Sequence, residues 1–195
     1  LDGSRNEEWE ARLASIFTKF LKDKPNYIQL RYIGVQDNGR EIVRVDKVGT
    51  SINVIKNKNL QAKGERPYVK DTIALTQNQL YLSEISLNRE HGKIALPHTP
   101  VLRAATPIYD EDANIYGVVV ANIDATQLIH EGMPIKYPIL VVNQDGYYLS
   151  HPHTDKTFGH DLGQEWKIQN DFAETKTFFD PGNIFQKATF ISDKV

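Results

Sequence analysis

The chain has 195 residues, 40% apolar and 25% charged, with a net charge of −2; this ordinary globular composition allows one or two domains and gives no electrostatic case for nucleic acid or an acidic membrane surface. It contains no cysteine, which excludes disulfides, cysteine-ligated zinc and a thiol nucleophile. No run approaches the ~18 apolar residues of a membrane span and no signal peptide is visible, so as part of a membrane protein the chain would be an excised soluble piece.

In chain order, Ser4 followed by Glu7 is a capping-box pattern. It opens a helix whose Trp9, Leu13, Ile16, Phe17, Phe20 and Leu21 recur on one face, with Pro25 ending it. "YIQLRYIGV" (27–35) and "EIVRVDKV" (41–48) read as a hairpin turned at Asn38-Gly39. "SINVIKNKNLQAK" reads as short helices, and Pro67 opens a further helix. Strands are expected at 79–88, 101–110 and 115–124, with a loop at "REHGKIALPHTP", a turn at "DEDAN" and a short helix in "ATQLIHEG" ended by Gly132. Pro134 and Pro138 bracket a joint. Beyond it "YPILVVNQDGYYLSHP" reads as a second hairpin, "GQEWKIQNDFAETKTFF" as helical and "FQKATFISD" as a strand. Strand–turn–strand–helix–strand therefore occurs twice, which favours two similar modules, the second stopping early as in a fragment.

Few residues group as chemistry requires. Asp110, Asp112 and Asn114 alternate as in a calcium loop, but Ile115 and Ala121 stand where such a loop needs Gly and Glu, so a polar turn is the reading. His151, His153, His160, Asp155 and Asp161 could ligate metal or respond to pH, yet Pro152 and Gly159 make the stretch an irregular solvated loop. No hydrolase elbow, phosphate loop or zinc-protease motif is present. His91, His98 and His130 are isolated, so no catalytic residue, metal or cofactor is assigned. What remains is a polar and aromatic set among apolar strands. Tyr81 and Ser83 share one strand face, Asn122 shares another with Val118 and Val120, and Tyr68 and Arg103 complete the set. Asn122 is either a core amide satisfied by backbone or part of a pocket with Arg66 at its rim. Arg66 itself, just before Pro67, either caps a surface helix or captures an anion.

The order helix, "DNG" hairpin, "LQAKGERPYVKDT", "LYLSEISLNREHGKI", "VLRAATPIYDEDANIYGVVVANID", then "ILVVNQDGYYLSHP" and "FGHDL" resembles the double Cache or PDC sensor domain, two PAS-like modules on a long N-terminal helix. The likeness covers most of residues 5 to 191. It implies an α/β (α+β) fold with two tandem modules on antiparallel sheets of about five strands, divided as 1–26 helix, 27–132 membrane-distal module with the ligand pocket, and 133–195 incomplete membrane-proximal module. It implies the periplasmic part of an inner-membrane receptor, most like histidine kinases and diguanylate cyclases, reaching the membrane only through flanking segments. The amino-acid-binding branch carries Arg, then Trp and Tyr after one residue, and an Asp late in the last strand. Here Arg66 matches, Tyr68 replaces the Trp, Val69 the Tyr, and Asn122 the Asp. Asn cannot supply the charge that neutralises an ammonium, while a carboxylate grip by Arg66 survives.

The reading is a non-enzymatic sensor of a small polar, carboxylate-bearing metabolite, walled by Tyr68 and Tyr81 and oriented by Ser83 and Asn122, with Arg103 and Asp124 beside them. The apolar stripe of the first helix needs cover, either by a sheet or by a second copy in a parallel homodimer. The alternatives are an orphan sensor acting through a partner protein, such as a periplasmic binding protein, and an unrecognised hydrolytic enzyme.

Overall fold

The computed structural model describes residues 3–36, 38–130 and 139–179. Its elements are α1 (Gly3–Asp23), β1 (Tyr27–Gly34), β2 (Glu41–Val48), β3 (Ser51–Val54), α2 (Pro67–Ile73), β4 (Tyr81–Leu82), β5 (Ser86–Leu87), β6 (Arg89–Glu90), β7 (Lys93–Ile94), β8 (Pro100–Tyr109), β9 (Ile115–Asp124), α3 (Thr126–His130), β10 (Val141–Val142), β11 (Tyr148–Ser150), α4 (Gly159–Leu162) and α5 (Ile168–Asp171). The architecture is the expected α+β one. Two compact units form, and they are not consecutive segments: residues 1–84 with 101–124, and residues 85–100 with 125–195. The linear division at 27–132 and 133–195 thus takes no account of residues 85–100, which pack with the second unit. The joint at Pro134 and Pro138, the stop at Gly132 and the strand in "FQKATFISD" lie outside the described residues.

The first unit is built on an antiparallel sheet in the order β3-β2-β1-β9-β8-β4. Its centre, β1, alternates Leu30 and Tyr32 with Gln29, Arg31 and Ile33, and all five are buried. Leu30 and Tyr32 join Ala14, Phe17, Leu21, Val43 and Val45 in one core beneath α1. There the Trp9 ring meets Tyr32 edge to face at 5.6 Å, an arrangement that aromatic pairs favour. Lys47 closes the end of the helix by donating to the carbonyl of Leu21 in its last turn and to those of Lys24 and Pro25 just beyond it, at 2.9, 3.0 and 3.3 Å. The backbone of Ser4 falls within α1, and Ile16 points to solvent at 62% exposure. The apolar face is therefore narrower than the periodicity implied.

Three local readings need correction. "SINV" is strand β3, not helix; its β-branched Ile52 packs into the α1 core, and pairing to β2 overrides the weak local pattern. The expected strand at 79–88 is two short pieces, β4 and β5. Residues 164–179 are helical only in α5 and a 3₁₀ stretch, Ala173–Phe179.

The Asn38-Gly39 turn does more than close a hairpin. Both residues have positive φ (56° and 64°), and the Gly39 and Asn38 carbonyls accept from Lys63 and Gly64 N–H at 2.8 and 3.0 Å. A Cβ on Gly39 would lie 2.4 Å from Gly64 Cα, so only glycine allows this approach. The turn thereby fixes the segment that delivers Arg66 and α2. At "DEDAN", Asp110 Oδ1 accepts the N–H groups of Asp112 and Asn114 at 3.0 and 2.8 Å, a side-chain-closed turn.

In the second unit, β10 and β11 form a hairpin in which Asn143 Oδ1 accepts from Asp145 and Tyr147 N–H. Tyr148 is fully buried and donates to Asp171 at 2.9 Å, and Asp171 pairs with Lys156 at 2.7 Å. Asp161 of "FGHDL" accepts from Leu87 N–H at 2.7 Å and pairs with Arg89 at 3.1 Å. These bonds, with Ala125 N–H donating to Pro100 O at 3.0 Å, tie the 85–100 segment to the rest of the second unit.

Candidate ligand-binding face of the first unit

The sheet face turned away from α1 is a set of cross-strand rows. Asp46, Gln29, Asn122 and Arg103 form one row across β2, β1, β9 and β8; Arg44, Arg31, Val120, Ala105 and Tyr81 form the next. Two arginines directly opposite each other repel. The irregularity that answers this is a bulge at Ile42: Tyr32 pairs with Val43, but Ile33 pairs with Glu41. The extra residue turns Glu41 onto the arginine face. Its carboxylate, fully buried, then stands 3.6 Å from Arg31 and 3.8 Å from Arg44, while Arg44 also holds Asp46 at 2.7 Å.

α2 covers the middle of this face. Arg66 is its N-cap, extended at φ −75° and ψ 136°, and Pro67 supplies the first helical position, where a missing N–H goes unnoticed. Tyr68 then enters the interior. Its hydroxyl accepts from Arg31 Nη1 at 2.8 Å, and Arg31 Nη2 donates to Asn122 Oδ1, also at 2.8 Å. The Tyr68 ring lies 5.2 Å from the Arg31 guanidinium carbon and 5.8 Å from that of Arg103, within cation–π range. Ile33, Val69, Ala105, Val118 and Val120 seal the apolar side.

The structure thus gathers Tyr68, Asn122 and Arg103 in one cluster, with Tyr81 half-buried beside it. Burial raises the Tyr81 phenol pKa and Asp71 adds to this, while Arg103 opposes it. Ser83 is committed to the main chain: its hydroxyl donates to Glu84 O at 2.7 Å and accepts from Arg103 N–H at 2.9 Å. Asp124 is half-buried at the end of β9. Arg66 is half-buried, and its guanidinium makes no hydrogen bond or ion pair with the described residues. The Arg31 Nε–H and Glu41 Oε1 are buried without hydrogen-bond partners.

Arg31 and Glu41 went unread in the sequence. For Arg31 the available signal was a charge at an alternate position of a strand expected to pair on both edges. No group of three metal-capable side chains forms among the described residues. Within the histidine-rich stretch, His160 pairs with Asp161 at 3.2 Å and the His151 ring stacks on His153 at 5.5 Å. No helix among the described residues is long and apolar enough to cross a membrane.

The domain model for the sensor domain of bacterial histidine kinases matches residues 3–176. Among curated proteins no relative matches. Among solved structures, the chain is similar to a domain of a sensory box/GGDEF family protein from Vibrio parahaemolyticus (22% identity, TM-score 0.74, 85% of this chain and 63% of that one). It is also similar to the extracellular domain vpHK1S-Z8, assigned to a histidine kinase (22%, 0.72, 85% and 60%). The ligand-binding domain of the Campylobacter jejuni chemoreceptor Tlp3, in complex with L-valine, shares the fold at 14% identity (TM-score 0.54, 76% and 54%). The chain spans under two thirds of the length of each of these three. The match over residues 3–176 covers both compact units, and the chain belongs to the family of bacterial histidine kinase sensor domains.

Proposed function

We propose that this chain is the extracytoplasmic, ligand-sensing part of a transmembrane receptor, and that its first unit holds a small carboxylate-bearing metabolite on the α2 face. One observation carries the reading: the half-buried guanidinium of Arg66 has no partner among the described residues, and Tyr68, two residues on, enters a cluster that buries the unsatisfied Arg31 Nε–H. A donor left buried without a partner costs about 1–3 kcal/mol, and an anion reaching this cluster would recover it. Arg66 pairs the carboxylate, Tyr68 and Tyr81 wall the site, and Asn122 and Ser83 with Arg103 and Asp124 form its sheet side.

The electrostatics select among carboxylates. Tlp3 is known in complex with L-valine and L-norvaline. In the present chain the Arg31 guanidinium sits 2.8 Å from Asn122 Oδ1, and an ammonium placed at Asn122 would meet that cation. A ligand without an ammonium, such as a short mono- or dicarboxylate, therefore fits better than an α-amino acid.

A thermal-shift screen of carboxylates, amino acids and amines tests this, because binding to the folded state raises the melting temperature by mass action. The expectation is stabilisation by carboxylates that Arg66→Ala abolishes while the ligand-free melting temperature holds. Stabilisation that persists in Arg66→Ala refutes the anion grip.

A further inference from the structure

The α1 side of the same sheet carries a second feature. The outer edge of β2 is paired with β3 along Val45–Val48, continued by Ile55 N–H donating to Arg44 O at 2.9 Å, and is paired again where Glu41 N–H donates to Gln61 O at 2.9 Å. Between these points residues 57–59 leave the edge as a 3₁₀ turn, and a cleft of about 430 Å³ opens between the turn, β2 and α1. That size lies within the range of small-molecule sites. α1 presents Glu7, Glu10, Ala11 and Ala14 to it, positions i, i+3, i+4 and i+7 of one helical stripe. The two alanines leave the space, and Ile42, Val43 and Leu60 give it an apolar wall.

The charges in this cleft are unevenly answered. Of its two cations, Arg40 donates to Asn57 O and Oδ1 at 3.2 and 3.3 Å, and Arg44 holds Asp46 through Nε and Nη2 at 2.9 and 2.7 Å. Glu7 and Glu10 have no ion pair among the described residues, whereas the neighbouring Glu8 is paired to Arg12. Burial and then Glu7 raise the pKa of Glu10, as expected of adjacent carboxylates lacking a cation. Glu41 also borders the cleft, but its buried carboxylate is turned to Arg31 and Arg44 at 3.6 and 3.8 Å and takes no part in it.

We propose that this cleft is a second ligand site, distinct from the α2 face, and that it takes a small organic amine. The ammonium lies between Glu7 and Glu10, and the hydrocarbon part lies against Ala11, Ala14, Ile42 and Leu60. An occupant ties the first turns of α1 to β2, and so favours arrangements of the helix that keep the cleft closed around it.

Calorimetric titration of the 195-residue chain with n-butylamine and phenethylamine, with butyrate as the anionic control, tests the site. At least one amine should bind saturably at millimolar concentration. Glu7→Gln combined with Glu10→Gln should weaken it by about tenfold or more, equivalent to ~1.4 kcal/mol. Ala11→Phe, on an exposed helix position, should block it, and Arg66→Ala should leave it unchanged. The proposal is overturned if neither amine saturates, or if the double glutamine variant, folded by circular dichroism, binds as the parent does. Binding of butyrate lost in Arg66→Ala bears on the α2 face alone.

Discussion

The buried ion cluster offers the most direct test of how the first unit is held together. Arg31→Met keeps the side-chain length and removes two hydrogen bonds of 2.8 Å, to Tyr68 and Asn122. It leaves Glu41, fully buried, with Arg44 at 3.8 Å and the Gln61 N–H at 2.9 Å. Stranding one charge of a buried pair costs about 3–5 kcal/mol, a large share of the ~5–15 kcal/mol that keeps a domain folded. Glu41→Gln should cost a similar amount for the mirror-image reason. The double variant should fall short of the sum by about 1–3 kcal/mol, since each single change already breaks the shared contact. Urea unfolding followed by fluorescence measures this unit by unit. Trp9 packs on Tyr32 in the first unit and Trp166 belongs to the second, so a Trp166→Phe background reports the first alone. If Arg31→Met costs less than ~1 kcal/mol, the value of a solvated surface pair, or if the two changes add, the cluster is not the electrostatic unit described.

Two further outcomes follow from single side chains. Asp161→Ala should release the 85–100 segment, seen as faster hydrogen exchange at the Leu87 amide, whose acceptor at 2.7 Å is lost; unchanged protection there would assign that segment's anchoring elsewhere. Burial first, and then Tyr116, push the Tyr32 pKa from 10.0 up to about 12. Its contribution is therefore complete below pH 10 and lost as pH rises toward about 12, because the unfolded phenol ionises first. Alkaline unfolding read by Trp9 should shift to higher pH in Tyr32→Phe, and an unchanged titration would contradict it.

Long elements with strong local grammar were legible in the sequence: the α1 stripe, the Asn38-Gly39 hairpin and the β8–β9 hairpin all lie where periodicity and turn residues put them. Their failures share a cause. Strand alternation alone assigns Glu41 to the same face as Val43 and Val45, and only the extra residue at Ile42 moves it to the other. No local signal announces a bulge in "REIVRV". Arg31 reads as the polar side of a half-buried strand because what buries it is Tyr68, 37 residues later. Residues 85–88 read as the end of a strand and 89–100 as a connecting loop of the first module, yet Asp161, which accepts from Leu87 N–H, is 74 residues beyond it. Arg66 stood out through helix-start chemistry, whereas what surrounds it depends on register.

Stability alone does not explain the composition of the α2 face. A row of apolar side chains in place of Arg31, Glu41 and Arg44 would hold the sheet about as well, because desolvating charges offsets most of what their attraction returns. What an apolar row could not do is respond to an ion. β1 presents Arg31 to one face and Tyr32, its neighbour in the chain, to the α1 core against Trp9. Both faces of the strand are buried, and close-packed interiors transmit small displacements instead of absorbing them. If the α2 face holds a charged ligand as proposed, its competition for Arg31 would act one residue from the packing of the long helix, which an uncharged face would leave untouched.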